Sequence, residues 1–243
     1  MSRRVVINQS NYVPWRGYFD LIHDADFFVF YDDVQYTKND WRNRNRIKTP
    51  HGLEWLTIPV GKDENRLVNE VRLPPDPAWA RHHWQRLEAS YQSAPYFKDY
   101  GYWLSDVLLH EKWPTLSALN QQLVRTIAQD FLGLHTTFGR SEDYAISGQK
   151  QDRLLALLAA LGATTYISGP AAKSYLTPER FAAAGIALEW KDYAGYPAYA
   201  QLHPPFESAV SILDLLFSTG TRAPEYIWGW RQPAGTFNTL PAI

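Results

Sequence analysis

Two apolar runs bracket one short helix near the start of the chain, and this arrangement restricts the fold more than any other feature. Val5 to Asn8 reads as a strand, and Phe27 to Tyr31 (FFVFY) is a continuous apolar run of the kind buried on both faces of a parallel sheet. Between them lie a loop, Gln9 to Pro14, and a helix from about Trp15 that carries Tyr18, Phe19, Leu21 and Ile22 on its apolar side. Strand, helix and strand within about thirty residues make a βαβ unit.

The later segments repeat the theme. Thr136 to Phe138, Thr164 to Ser168 and Ile186 to Tyr193 read as strands, and Asp152 to Leu161, the segment from Thr177 and Ser208 to Gly220 read as helices. Between the two α/β parts, Trp79 to Leu132 reads as a helical insertion. Its last helix carries Leu116, Leu119, Leu123, Ile127 and Phe131 near helical spacing. Trp41 to Lys48, Glu54 to Val60 and Val68 to Leu73 read as extended, with Pro59 marking an edge or a strand end. The expected class is α/β: a mostly parallel, Rossmann-like sheet with flanking helices and a helical insertion. One domain spans residues 1–225, followed by a tail at 226–243, and the chain from Arg222 onward is expected to pack loosely or be partly disordered.

Composition narrows the function. The chain has 243 residues, a net charge of -1 and no cysteine. Near-neutrality argues against a nonspecific nucleic-acid coat. The missing thiols exclude a disulfide framework, a cysteine nucleophile and a zinc–thiolate site. His82 and His83 are adjacent and diverge on a helix, so no metal site is expected from them. No secretory leader or membrane-length apolar run is legible, so a cytoplasmic protein is expected.

In open parallel sheets, ligands bind beyond the carboxyl ends of the strands. Gln9, Asn11, Tyr12 and Trp15 follow the first strand, and Asp32, Asp33 and Gln35 follow the second. Asp32 and Asp33 are the candidate catalytic carboxylates: a general base, a divalent-metal ligand, or for one of them a turn cap. Arg42, Arg44, Arg46 and Lys48 alternate with Trp41, Asn43, Asn45 and Ile47, so an extended segment puts four cations on one face. Such a face either clamps a phosphate bidentately or serves as a solvated edge. Lys38, Asn43, Ser168 and Gly169 complete the candidate binding set. Ser168-Gly169-Pro170 is no nucleophile elbow. Asp214, on an apolar helix, is either a surface charge or a buried partner for an arginine.

Five blocks in order, QSNYVPWRGYFDLI, DDVQYTK, WRNRNRIKT with WLTIPV, YISGPAAKSYL and SILDLLFSTG, resemble the WbqC-like family from residue 5 to about residue 220. Ser10 stands where that family usually has Pro. The resemblance implies a bacterial protein linked to O-antigen or other surface-polysaccharide biosynthesis. The layout is also similar to HIGH-type nucleotidyltransferases, yet Trp15-Arg16-Gly17-Tyr18 lacks their histidines. The expected function is transfer of an acyl or aminoacyl group to an amino sugar or similar amine, from a phosphate-bearing or nucleotide-activated donor. The alternatives are a scaffold of the same pathway and a nucleotidyltransferase- or ligase-like enzyme. The expected partner is a small molecule such as a sugar nucleotide, with neither membrane nor nucleic acid; no cofactor is named by the residues.

Overall fold

The computed structural model describes residues 2–231. Its centre is a five-stranded sheet built from β1 (Arg4–Asn8), β2 (Phe27–Phe30), β5 (Thr137–Arg140), β6 (Thr165–Ser168) and β7 (Ala187–Trp190). The order is β5-β2-β1-β6-β7, and every neighbouring pair is parallel. The chain winds outward from β1 to one side, then crosses back to build the other. This is the α/β class expected from the sequence, and the reversal between β1 and β6 is a topological switch point.

Side-chain alternation assigns the two faces. Val6, Phe28, Phe30 and Ile167 join one core with α1 (Arg16–His23), while Val5, Ile7, Val29 and Tyr166 join a second core with α5 (Lys150–Ala160) and α6 (Pro178–Ala183). Both faces are dry, which is why these strands read as unbroken apolar runs. Truncating a fully buried Phe28 to Ala costs about 3–5 kcal/mol in such a setting.

The insertion consists of α2 (Ala78–Tyr91), α3 (Phe97–Leu109) and α4 (Leu116–Thr126), which continues as a π-helical turn at Ile127–Phe131. Thr115 caps α4 by accepting from the Ala118 N–H. The last helix, α7 (Ile212–Thr219), packs against α3.

Four expectations are corrected. The basic segment forms a separate antiparallel hairpin, β3 (Arg44–Thr49) with β4 (Gly52–Thr57), and residues 41–43 are a turn. Val68–Glu70 is a 3-10 turn rather than a strand, because the Glu70 carboxylate folds back onto the Leu67 N–H at 2.8 Å. The last helix begins only at Ile212, capped by Ser211. The segment from Arg222 is not loose: residues 220–231 form two 3-10 turns with Ala223 and Ile227 fully buried. The rest of the expected tail, 232–243, lies outside the described residues.

Three contacts explain this docking. Arg16 donates to the Tyr226 carbonyl at 3.1 Å, Arg231 pairs with Asp20, and the Trp228 ring stacks on His23 at 4.4 Å. Residues 16, 20 and 23 lie on one face of α1.

Candidate functional site

Parallel pairing of β1 with β2 and β6 places Gln9, Asp32 and Ser168-Gly169 along one sheet edge. These strand-end residues share an edge, and their side chains differ in what they are free to do.

Asp32 is buried. Its Oδ1 accepts from the Ser10 N–H at 2.8 Å, and its Oδ2 accepts from Gln121 Nε2 at 3.0 Å and from the Ser117 hydroxyl. This carboxylate ties the loop after β1 to α4. It has no exposed surface, and its contacts are those of the capping alternative expected for one of the two aspartates rather than those of a base. Asp33 pairs with Arg153 and accepts from the Ser141 hydroxyl at 2.5 Å. Tyr12 is also sealed, with its hydroxyl 2.9 Å from His83 Nδ1, so it is not available to a ligand. Gln35 and Lys38 are exposed and turn away to Glu64: Gln35 Nε2 lies 3.3 Å from its carbonyl and Lys38 Nζ 3.2 Å from its carboxylate. Ser168 is buried at the end of β6, and Gly169 packs beside the Tyr193 hydroxyl.

The loop between β1 and α1 stores strain. Val13 sits at φ 36°, a region that β-branched residues rarely occupy. Its carbonyl accepts from Asn45 Nδ2 at 2.9 Å and from Ser211 Oγ at 2.7 Å. The hairpin and the α7 cap thus hold the loop in place. Beside it lies a cleft of about 300 Å³, lined by Asn11, Pro14, Trp15, Trp41, Asn45, Arg46 and Ala209. Trp15 is held rigidly, edge-on to Tyr193 at 5.2 Å and to Tyr196 at 6.0 Å, and its ring covers Gly17, where any side chain would collide with it.

The expected stripe of four cations narrows to two. Arg42 precedes β3, so the period of two does not reach it, and it pairs with Asp40. Lys48 is buried against the Pro205 carbonyl at 2.5 Å. Arg44 and Arg46 have no carboxylate partner among the described residues. Both guanidinium groups lie over the Trp55 ring, at 4.2 and 5.6 Å from its centre. Register explains this: Arg46 stands directly opposite Trp55 across the hairpin, and Arg44 lies diagonal to it on the same face. Their Nε atoms are buried with no hydrogen-bond partner among the described residues. Asn43 is buried and spends its amide on the Ile58 carbonyl at 2.9 Å.

Sequence reasoning missed Trp41, Trp55 and Asn45 as site residues. The alternation did place Trp41, Asn43 and Asn45 opposite the arginines, but only hairpin pairing brings Trp55 under them. Glu142, in the turn after β5, was also missed. Burial pushes its carboxyl above the ordinary range, Asp32 and Asp33 add to the rise, and Arg140 opposes it. It is the most accessible of these three carboxyl groups. Asp20, His23 and Asp24 come close enough to share a cation, but Lys191 and Arg231 already neutralise the two carboxylates. Asp214 is buried without an arginine; it accepts from Tyr91 at 2.9 Å, Tyr199 at 2.7 Å and Gln201 at 2.8 Å.

The sequence matches the model of the WbqC-like protein family over residues 9–226. The chain belongs to the WbqC-like family. A relative in Mycobacterium tuberculosis, the uncharacterized protein Rv1507c, is 47% identical over 232 residues, covering 95% of this chain and 100% of the relative. No solved structure matches this WbqC-like chain. Its described residues include no helix long and apolar enough to cross a membrane.

Proposed function

We propose that this protein is a group-transfer enzyme of bacterial glycan assembly that binds a phosphate-bearing donor at the hairpin cleft. The observation that carries the reading is the pair Arg44 and Arg46, held on Trp55 without a carboxylate partner among the described residues, with Arg46 lining the cleft. Guanidinium groups fixed in this way suit the planar, bidentate recognition of phosphate. The ring support and the buried aliphatic stems reduce the entropy lost on binding. The strained Val13 loop adds to the reading, since such strain clusters at functional sites.

The chemistry would be transfer of an acyl or aminoacyl group to an amine such as an amino sugar. The phosphate leaves toward the arginines, and Glu142 at the sheet edge takes the proton of the attacking amine. The link to surface polysaccharide comes from the family resemblance. A second reading, a non-catalytic binding protein of the same pathway, draws on the sealing of Asp32, which removes one candidate base.

The test begins with a thermal-shift screen of phosphorylated donors. A ligand at a hundred times its dissociation constant adds about 2.7 kcal/mol of stability. Arg44→Lys and Arg46→Lys keep the charge and lose the planar fork, so affinity should fall roughly tenfold. Wild-type affinity in both variants would refute the clamp. Glu142→Gln separates the two readings in a complemented deletion strain. Lost polysaccharide output with intact donor binding supports the enzyme; unchanged output supports the scaffold.

A further inference from the structure

One of the two amides lining the cleft is spent. Asn45 donates to the carbonyls of Tyr12 at 3.1 Å and Val13 at 2.9 Å, and its own oxygen accepts from the Arg46 N–H at 2.8 Å. Tyr12 and Asn43, either side of it, are buried and engaged elsewhere. Of the side-chain amides lining the cleft, Asn11 is the one with no hydrogen bond among the described residues. The remaining walls are Pro14, Trp15, Trp41 and Ala209, and Trp41 is 44% exposed.

A pyranose presents several hydroxyls, and each must exchange its water for a protein partner or pay for its desolvation. This cleft offers one amide for that purpose. A planar heterocycle needs no partner on its faces and gains by stacking. A volume of about 300 Å³ lies at the small end of ligand sites.

We infer that the cleft takes the nucleoside 5′-phosphate portion of the donor, with the base against Trp41 and Trp15 and the phosphate at Arg46 and Arg44. Trp55 is not the stacking platform, because Arg44 already covers its ring at 4.2 Å. Asn11 supplies one donor and one acceptor to the edge of the base or to the ribose. The transferred group then lies outside the cleft, toward Gln9 and the sheet edge. This inference rests on the clamp reading and adds the identity of the ring.

Calorimetric titration of the full chain with uridine 5′-monophosphate, adenosine 5′-monophosphate, ribose 5-phosphate and inorganic phosphate tests it. At least one nucleotide should bind tenfold or more tightly than ribose 5-phosphate. Trp41→Ala should erase that advantage while leaving ribose 5-phosphate affinity unchanged, and Trp41→Phe should restore most of it. Trp41 is half exposed, so the variants are expected to fold, and their melting curves check this. Equal affinity for nucleotides and ribose 5-phosphate overturns the inference and leaves the clamp standing. A nucleotide preference that survives Trp41→Ala overturns the placement of the base. No binding by any of the four overturns both.

Discussion

The Tyr12 hydroxyl lies 2.9 Å from Nδ1 of His83, and Nε2 of the same ring lies 3.2 Å from the Thr57 carbonyl. A carbonyl only accepts, so Nε2 carries the proton, and Nδ1 accepts from tyrosine in a neutral ring. Through this ring the loop after β1, helix α2 and strand β4 are joined.

Burial lowers the His83 pKa from its ordinary 6.5 to about 4, with His82 adding to the fall and the Thr57 carbonyl opposing it. Between those values the unfolded chain binds a proton that the folded one refuses. Stability therefore falls as pH drops from 6.5 to 4, by about 3 kcal/mol from this residue, and is flat in this contribution below. Urea midpoints at pH 7, 5.5 and 4 should show the loss, and His83→Phe should flatten it. An identical slope in His83→Phe would assign the acid sensitivity elsewhere.

Replacing Asp32 damages the fold before it can report on chemistry. Asp32→Ala leaves the Ser10 N–H and the Ser117 hydroxyl without their acceptor in a buried setting and takes one of two acceptors from the Gln121 amide, which keeps Ser117 Oγ at 2.9 Å. The cost is about 3 kcal/mol or more. Denaturant titration measures it; a wild-type midpoint would show that the tie between α4 and the loop is unimportant. Loss of activity in an Asp32 variant is therefore to be read beside its stability.

Asn45→Ala removes both donors from the carbonyls of Tyr12 and Val13. The expected cost is about 2 kcal/mol. The strained Val13 should relax, so amide exchange across residues 10–14 should quicken. Exchange that stays at the wild-type rate would place the restraint with Ser211 instead.

Arg231→Ala takes one of two cations from the buried Asp20 and leaves Lys191, whose Nζ lies 2.9 Å from Oδ1. Arg231 is partly exposed, so its contribution is screened, and the loss is about 1–2 kcal/mol. Lys191→Ala removes the fully enclosed cation and should cost more. A reversed order of melting temperatures would show that the C-terminal segment, not the core lysine, carries the neutralisation.

The sequence by itself determined the sheet and the edge at which its strand-end polar residues gather. Runs such as Phe27–Phe30 are apolar at every position because both faces are covered, and that pattern belongs to a parallel strand whatever lies next to it. The alternation of cations with Asn45 and Ile47 over Arg44–Lys48 is likewise local, since period two follows from the extended backbone of β3. Tertiary structure decided which of those groups remain free. Asp32 and Tyr12 look like site residues until α4 and α2 close over them. Arg42 leaves the stripe because it precedes β3 and pairs with Asp40, and Lys48 because the Pro205 carbonyl reaches it, while Arg44 and Arg46 stay in it because hairpin register sets Trp55 beneath. Local sequence encodes backbone period and burial demand; the partner of a polar group arrives from a distant segment, and only packing names it.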